Sequence, residues 1–216
     1  SPLTNEANEH LKAGEPGKAA EVYRQILSRN PNDARTEYNL ALALAQLGDR
    51  EQERGALKQA ATLDPTLAIA KLTLGRLELD EGKLESAKKW LDLAIEADPQ
   101  LASAKDALGT IDLLRGDESK AKQAFEQAIE DDPDYAQAHA DLANLLVQQH
   151  DNANAEREIS LALKGAPSDP QVLLTAGKVR MLLGENSEAV PVLRSAVRFA
   201  ALSPDAHLQL ATALAE

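Results

Sequence analysis

Four histidines, 35 carboxylates and no cysteine are the groups with which this chain could do chemistry. Without thiols there is no disulfide and no thiolate metal site. A metal site on a helix wants ligands at i,i+3 or i,i+4, and no two of His10, His139, His150 and His207 are so spaced. All four are therefore expected on the surface. Carboxylates do stand in pairs, Asp131 with Asp132 and Glu78 with Asp80. General acid–base work needs a pocket that shifts a pKa, and in an acidic chain such pairs belong to a solvated face. There is no phosphate loop of the GxxxxGK type, no GxGxxG after a strand and no HExxH. No catalytic residue, metal site or cofactor is expected, and the chain is not read as an enzyme.

Lysine and arginine number 23 against the 35 acids, a net charge of −12. Such a chain repels phosphate backbones, which argues against nucleic acid and anionic membrane as partners. No apolar run approaches the ~18 residues that span a bilayer. The expectation is a soluble protein, cytoplasmic or periplasmic, with the compartment left open. Hydrophobic residues make up 44% but aromatics only 3%, so alanine and leucine must do most of the packing.

The elements that carry these side chains show in one stretch, Ala102 to Tyr135, reading ASAKDALGTIDLLRGDESKAKQAFEQAIEDDPDY. Leu108 and Gly109 lie on a first helical run, Gly116 breaks the chain, and Ala121, Phe125 and Ala128 mark a second run that Pro133 closes. The unit recurs: Pro31, Pro65, Pro99, Pro133 and Pro167 are each 34 residues apart, as are Pro170 and Pro204.

Numbering each repeat so that the first set of prolines is position 32 aligns the columns. Position 8 is small in all seven copies: Ala7, Ala41, Gly75, Gly109, Ala143, Gly177 and Ala211. Position 24 is large in all six: Tyr23, Leu57, Leu91, Phe125, Ile159 and Leu193. Small against large lets facing helices interdigitate without voids. Alanine holds position 27 except at Ile26, and position 20 except at Glu53. Position 15 is glycine except at His150, which places each glycine just past a first helix in the left-handed conformation. Asp169 and Ser203 precede prolines as N-caps, and Pro191 is expected about one turn into a second helix.

A 34-residue period of helix–turn–helix units resembles the tetratricopeptide repeat (TPR) family over essentially the whole chain. The resemblance implies an all-α fold, a right-handed superhelical solenoid of antiparallel helix pairs. Its repeats would be 1–33, 34–67, 68–101, 102–135, 136–169 and 170–203, with a final single helix over 204–216, all in one array. Two columns depart from the family pattern. Position 4, usually tryptophan, holds Leu3, Glu37, Lys71, Lys105, His139, Leu173 and His207, and position 11, usually tyrosine, is often polar, as in Glu78, Asp112 and Arg180.

The resemblance also implies that the first helices line a concave groove whose positions 2, 5, 6, 9, 12 and 13 face a bound protein or peptide. Carried onto this chain, the groove residues are Arg35, Tyr38, Asn39, Leu42, Ile69, Leu72, Thr73, Arg76, Leu79, Asp106, Thr110, Asp141, Asn144 and Lys178. Apolar members would anchor side chains, and amides and charges would satisfy a peptide backbone. Positions 12 and 5 carry the alternative of packing one repeat on the next. The carboxylate clamp of chaperone-binding TPR domains is not met: Asn8 and Asn39 fit, but Thr4, Ile69 and Thr73 stand where its cations should be.

Trp90, the single tryptophan, falls at position 23 of a second helix and is expected in local packing. On the last helix, Leu208, Leu210 and Leu214 have no following helix to cover them, which points to a continuation of the chain or a homodimer through residues 204–216. The principal expectation is a non-catalytic interaction scaffold holding a peptide or protein segment in the groove. The alternatives are a self-assembly module using the convex face and open ends, and a TPR regulatory region of a larger protein.

Overall fold

The computed structural model describes residues 2–201 and 203–215, which form thirteen α-helices and no strand. α1 (Pro2–Lys12) pairs with α2 (Pro16–Arg29), α3 (Ala34–Leu47) with α4 (Arg50–Leu63), and α5 (Ala68–Asp80) with α6 (Leu84–Ala97). α7 (Ala102–Leu114) pairs with α8 (Glu118–Asp131), α9 (Ala136–Gln148) with α10 (Asn152–Gly165), and α11 (Pro170–Leu182) with α12 (Asn186–Phe199). α13 (Pro204–Ala215) packs on α11 and α12. Two or three residues join the members of each pair, which leaves them antiparallel. The first helix of each pair is termed A and the second B. The chain divides into two compact units, Ser1–Leu101 and Ala102–Glu216, and the division falls between the third and fourth repeats.

Side-chain caps start many of these helices. The carboxylates of Asp33, Asp49, Asp117 and Asp151 accept from the backbone N–H three residues on, at 3.1, 3.1, 3.3 and 3.4 Å. Asp169 accepts from both Gln171 and Val172, with Pro170 behind it, and the Ser203 hydroxyl accepts from Ala206 N–H. Each such cap contributes about 1 kcal/mol. At the A-helix ends the position-15 glycines all have φ between 71° and 79°, and His150 adopts the same left-handed turn at φ 62°. Pro191 is the sixth residue of α12, deeper than expected and past the donors that a helix leaves unpaired, on an exposed face.

The pairs close through the small and large columns. A Cβ on Gly75 would approach Leu91, one on Gly109 the ring of Phe125, and one on Gly177 Leu193, in each case position 8 against position 24 of the same repeat. All six position-24 side chains are fully buried. Burial of each contributes about 1.5–3 kcal/mol, so this column is the spine of the fold. Ala211, the position-8 residue of α13, is exposed, because no second helix lies over it within the described residues. Within the first unit one core runs from Ala7 and Tyr23 through Leu44 and Leu57 to Leu74 and Leu77. In the second, Phe125, Leu145, Ile159 and Val179 belong to one core, and Leu193, Ala196 and Ala206 to another.

Three side chains break the expected pattern for electrostatic reasons. Glu78, expected on a solvated face with Asp80, is 4% exposed and accepts from Arg54 Nε at 2.8 Å. Glu53, which replaces alanine at position 20, is 4% exposed and lies 3.3 Å from Arg50 Nη1. His139, expected on the surface, is 5% exposed inside the second unit. Leu210 also departs from its reading: it packs on the core around Leu193, while Leu208 and Leu214 are exposed.

Candidate functional site

The A helices carry the side chains that the repeat pattern assigns to binding. In the first unit, position 5 of α3 meets position 6 of α5, where the Tyr38 hydroxyl lies 3.5 Å from Thr73 Oγ1. Thr73 Oγ1 in turn donates to the Ile69 carbonyl at 2.8 Å. Arg35, Ile69 and Arg76 are exposed around this contact, and Tyr38, Asn39, Leu42, Thr73 and Leu79 are half-buried. The result is a strip of amide, hydroxyl, guanidinium and apolar groups with accessible surface. Leu72 is not part of it. It is 3% exposed.

In the second unit the same positions are more occupied with one another. Asp106 is 3% exposed and accepts from the Tyr135 hydroxyl at 3.5 Å, while Thr110 Oγ1 donates to the Asp106 carbonyl at 3.3 Å. Asp106 is therefore a packing residue like Leu72. Asp141 accepts from Gln137 Nε2 at 2.9 Å, and Asn144 is half-buried beside it on α9. Lys178 donates to Asp205 on α13 at 2.7 Å, which holds the Asp205 carboxyl below its usual range. Asn8, which fits a clamp by sequence, accepts the hydroxyl of buried Tyr23 at 2.6 Å and serves the core.

The position-4 column has a role that its residue types alone do not announce. Lys71 Nζ donates to the Pro65 carbonyl at 2.5 Å and to the Leu93 carbonyl at 3.3 Å. His139 Nε2 meets the Pro133 carbonyl at 2.9 Å, and His207 Nε2 meets the Ala201 carbonyl at 2.9 Å. In each case a nitrogen donor ties the A helix to the position-32 carbonyl six residues earlier, the end of the preceding B helix. Three of the four lysines and histidines in this column make that tie, and the fourth, Lys105, pairs with Asp131 on α8 instead. At Glu37, which has no such proton to give when ionised, burial raises the carboxyl pKa.

His139 has a second partner, Glu158 Oε2 on α10, 2.6 Å from Nδ1. Arg157 Nη2 reaches the other Glu158 oxygen at 2.8 Å. Both ring nitrogens of His139 thus face oxygen acceptors, so the pair is a structural tie and offers no base to a substrate. Among the described residues no group of three His, Asp or Glu side chains could hold a metal ion, and no helix is long and apolar enough to cross a membrane.

Comparison with known proteins agrees with this geometry. Family models described as tetratricopeptide repeats match residues 4–68, 68–101 and 112–178. The chain belongs to the tetratricopeptide repeat family. Over 85 residues this TPR chain is 31% identical to small glutamine-rich tetratricopeptide repeat-containing protein 2 of Mycosarcoma maydis, a match that covers 39% of this chain and 24% of that protein. The chain thus spans about a quarter of that curated relative. Its fold superimposes on a tetratricopeptide repeat protein from Parabacteroides merdae with a TM-score of 0.80 and 18% identity, over 98% of this chain and 83% of the other. It also superimposes on the APC/C hetero-tetramer Cut9–Hcn1 with a TM-score of 0.78 and 17% identity, over 98% of this chain and 42% of that one. At such identities the two structures show the shared all-α repeat fold alone. TPR repeats build protein–protein interaction scaffolds, and that is the general class of this chain.

Proposed function

We propose that this TPR chain is a non-catalytic scaffold that holds an extended protein segment along its A helices, with the first unit as the main contact. The observation that carries the reading is the strip on α3 and α5. There Asn39 and Arg76 flank the Tyr38–Thr73 contact, with Leu42 and Leu79 as apolar neighbours. A peptide needs both kinds of group: a carboxamide donates to a backbone carbonyl and accepts from an N–H, and apolar surface takes the side chains between. In the second unit, taken by itself, Asp141, Asn144 and Lys178 hold polar groups at the equivalent repeat positions. The test is a peptide selected from a library on the wild-type chain and titrated against Asn39→Ala with Arg76→Ala. Loss of affinity at unchanged thermal stability supports the groove, and retained affinity rejects it.

A second reading, self-association through α13, is favoured by its uncovered side. Leu208 and Leu214 are 62% and 57% exposed, and Ala211 lacks the large side chain that covers every other position 8. Light scattering separates the readings: a dimer that Leu208→Asp with Leu214→Asp dissociates supports assembly, and a monomer at all concentrations rejects it.

A further inference from the structure

Between α8 and α10, over α9, lies a cavity of about 600 Å³. Its apolar wall is Ile129, Leu142, Leu146 and Leu161, and its floor is the His139–Glu158 pair. This size falls within the ~300–1,000 Å³ range of sites that bury a ligand. The same place one pair of repeats earlier is occupied. Trp90, at position 23 of α6, packs against the core made by α4 and α5, in which Ala61 and Leu74 hold the positions of Ile129 and Leu142. On α10 position 23 is Glu158, drawn inward onto His139, where α6 carries the indole of Trp90.

From this internal precedent we propose that the cavity receives a tryptophan side chain of a partner protein, with a lysine or arginine beside it. The apolar wall matches the faces of an indole. The flanking charge follows from the rim. Glu126 and Glu130 are exposed one helical turn apart on α8, and Arg157 is already engaged with Glu158. Lys122 stands one turn before Glu126 and leaves the rim acidic on balance. A basic neighbour of the tryptophan completes it, and the net charge of −12 draws such a segment in. The site is formed by α8, α9 and α10, and none of its lining residues belongs to the strip on α3 and α5.

The experiment uses the full chain and a short peptide, acetyl-Ser-Lys-Trp-Lys-Ser-amide, carrying fluorotryptophan and observed by fluorine NMR. Saturable binding is expected, with amide shifts confined to α8, α9 and α10. Leu161→Trp, which places an indole in the cavity from within, is expected to weaken binding by about tenfold or more. Glu126→Lys with Glu130→Lys should weaken the lysine peptide and leave a Gln-Trp-Gln peptide unchanged. Asn39→Ala with Arg76→Ala should change neither. The proposal is overturned by absence of saturation, by equal binding of a Lys-Ala-Lys peptide, by full affinity in folded Leu161→Trp, or by shifts that map to α3 and α5.

Discussion

A Cβ on Gly109 would stand 2.5 Å from Cε1 of Phe125, so α7 and α8 meet where the absence of a side chain is matched to a ring. The match decides how far a helix propensity gain can be used. Gly109→Ala gains about 1 kcal/mol of intrinsic helix preference but forces an overpacked contact that costs about 1–3 kcal/mol. Thermal unfolding should show net destabilisation, relieved in Gly109→Ala with Phe125→Leu. Gly55, exposed inside α4 with open space around a notional Cβ, is the control, and Gly55→Ala should raise the melting temperature.

His150 performs the turn that glycine performs in the other pairs, at φ 62°. A side chain in the left-handed region costs about 1–2 kcal/mol. His150→Gly returns part of that against the extra freedom glycine has when unfolded, so a gain of about 0.5–1 kcal/mol in denaturant unfolding is expected. A loss would mean that the His150 side chain makes a contact worth more than the strain.

The Tyr23 hydroxyl is buried under Asn8, and burial pushes its pKa above the ordinary phenolic value. The neutral phenol is thus favoured in the folded state. Its contribution is complete below pH ~10, where the unfolded tyrosine also holds its proton, and is lost as pH rises through the higher folded value. Stability should therefore fall more steeply above pH ~10 in the wild type than in Tyr23→Phe, as read by denaturant midpoints. Parallel alkaline limbs would show that Tyr23 is not the responsible group.

The tie at position 4 is tested at His139. His139→Leu removes the donor to Pro133 and leaves Glu158 buried with Arg157 as its partner. The expected cost is about 1–3 kcal/mol. In a double-mutant cycle with Glu158→Gln the two changes should be coupled, since the groups touch. Additive effects would mean that the 2.6 Å contact contributes nothing.

Most of the fold could be read from residue spacing because its determinants are local. A 34-residue period places each proline, glycine and small residue at one point of a hairpin, and Gly75, Gly109 and Gly177 lie under the side chains that the columns pair with them. The strip on α3 and α5 was legible only through the family pattern. The family pattern gives position 5 one reading at Tyr38, Leu72 and Asp106, yet Tyr38 keeps exposed surface while Leu72 and Asp106 are buried. His139 was misplaced because its partners, a carbonyl six residues back and a carboxylate 19 residues on, become neighbours only when three helices pack. The α8–α10 cavity leaves along the chain only the exchange of Trp90 for Glu158 at position 23, which names no cavity by itself.

The scaffold reading is tested most directly by backbone amide NMR of the full chain titrated with a peptide selected on it, beside Asn39→Ala with Arg76→Ala. The prediction is shifts concentrated on α3 and α5, and an affinity about tenfold or more weaker in the variant at the same melting temperature. Shifts on the B helices with unchanged affinity would contradict it.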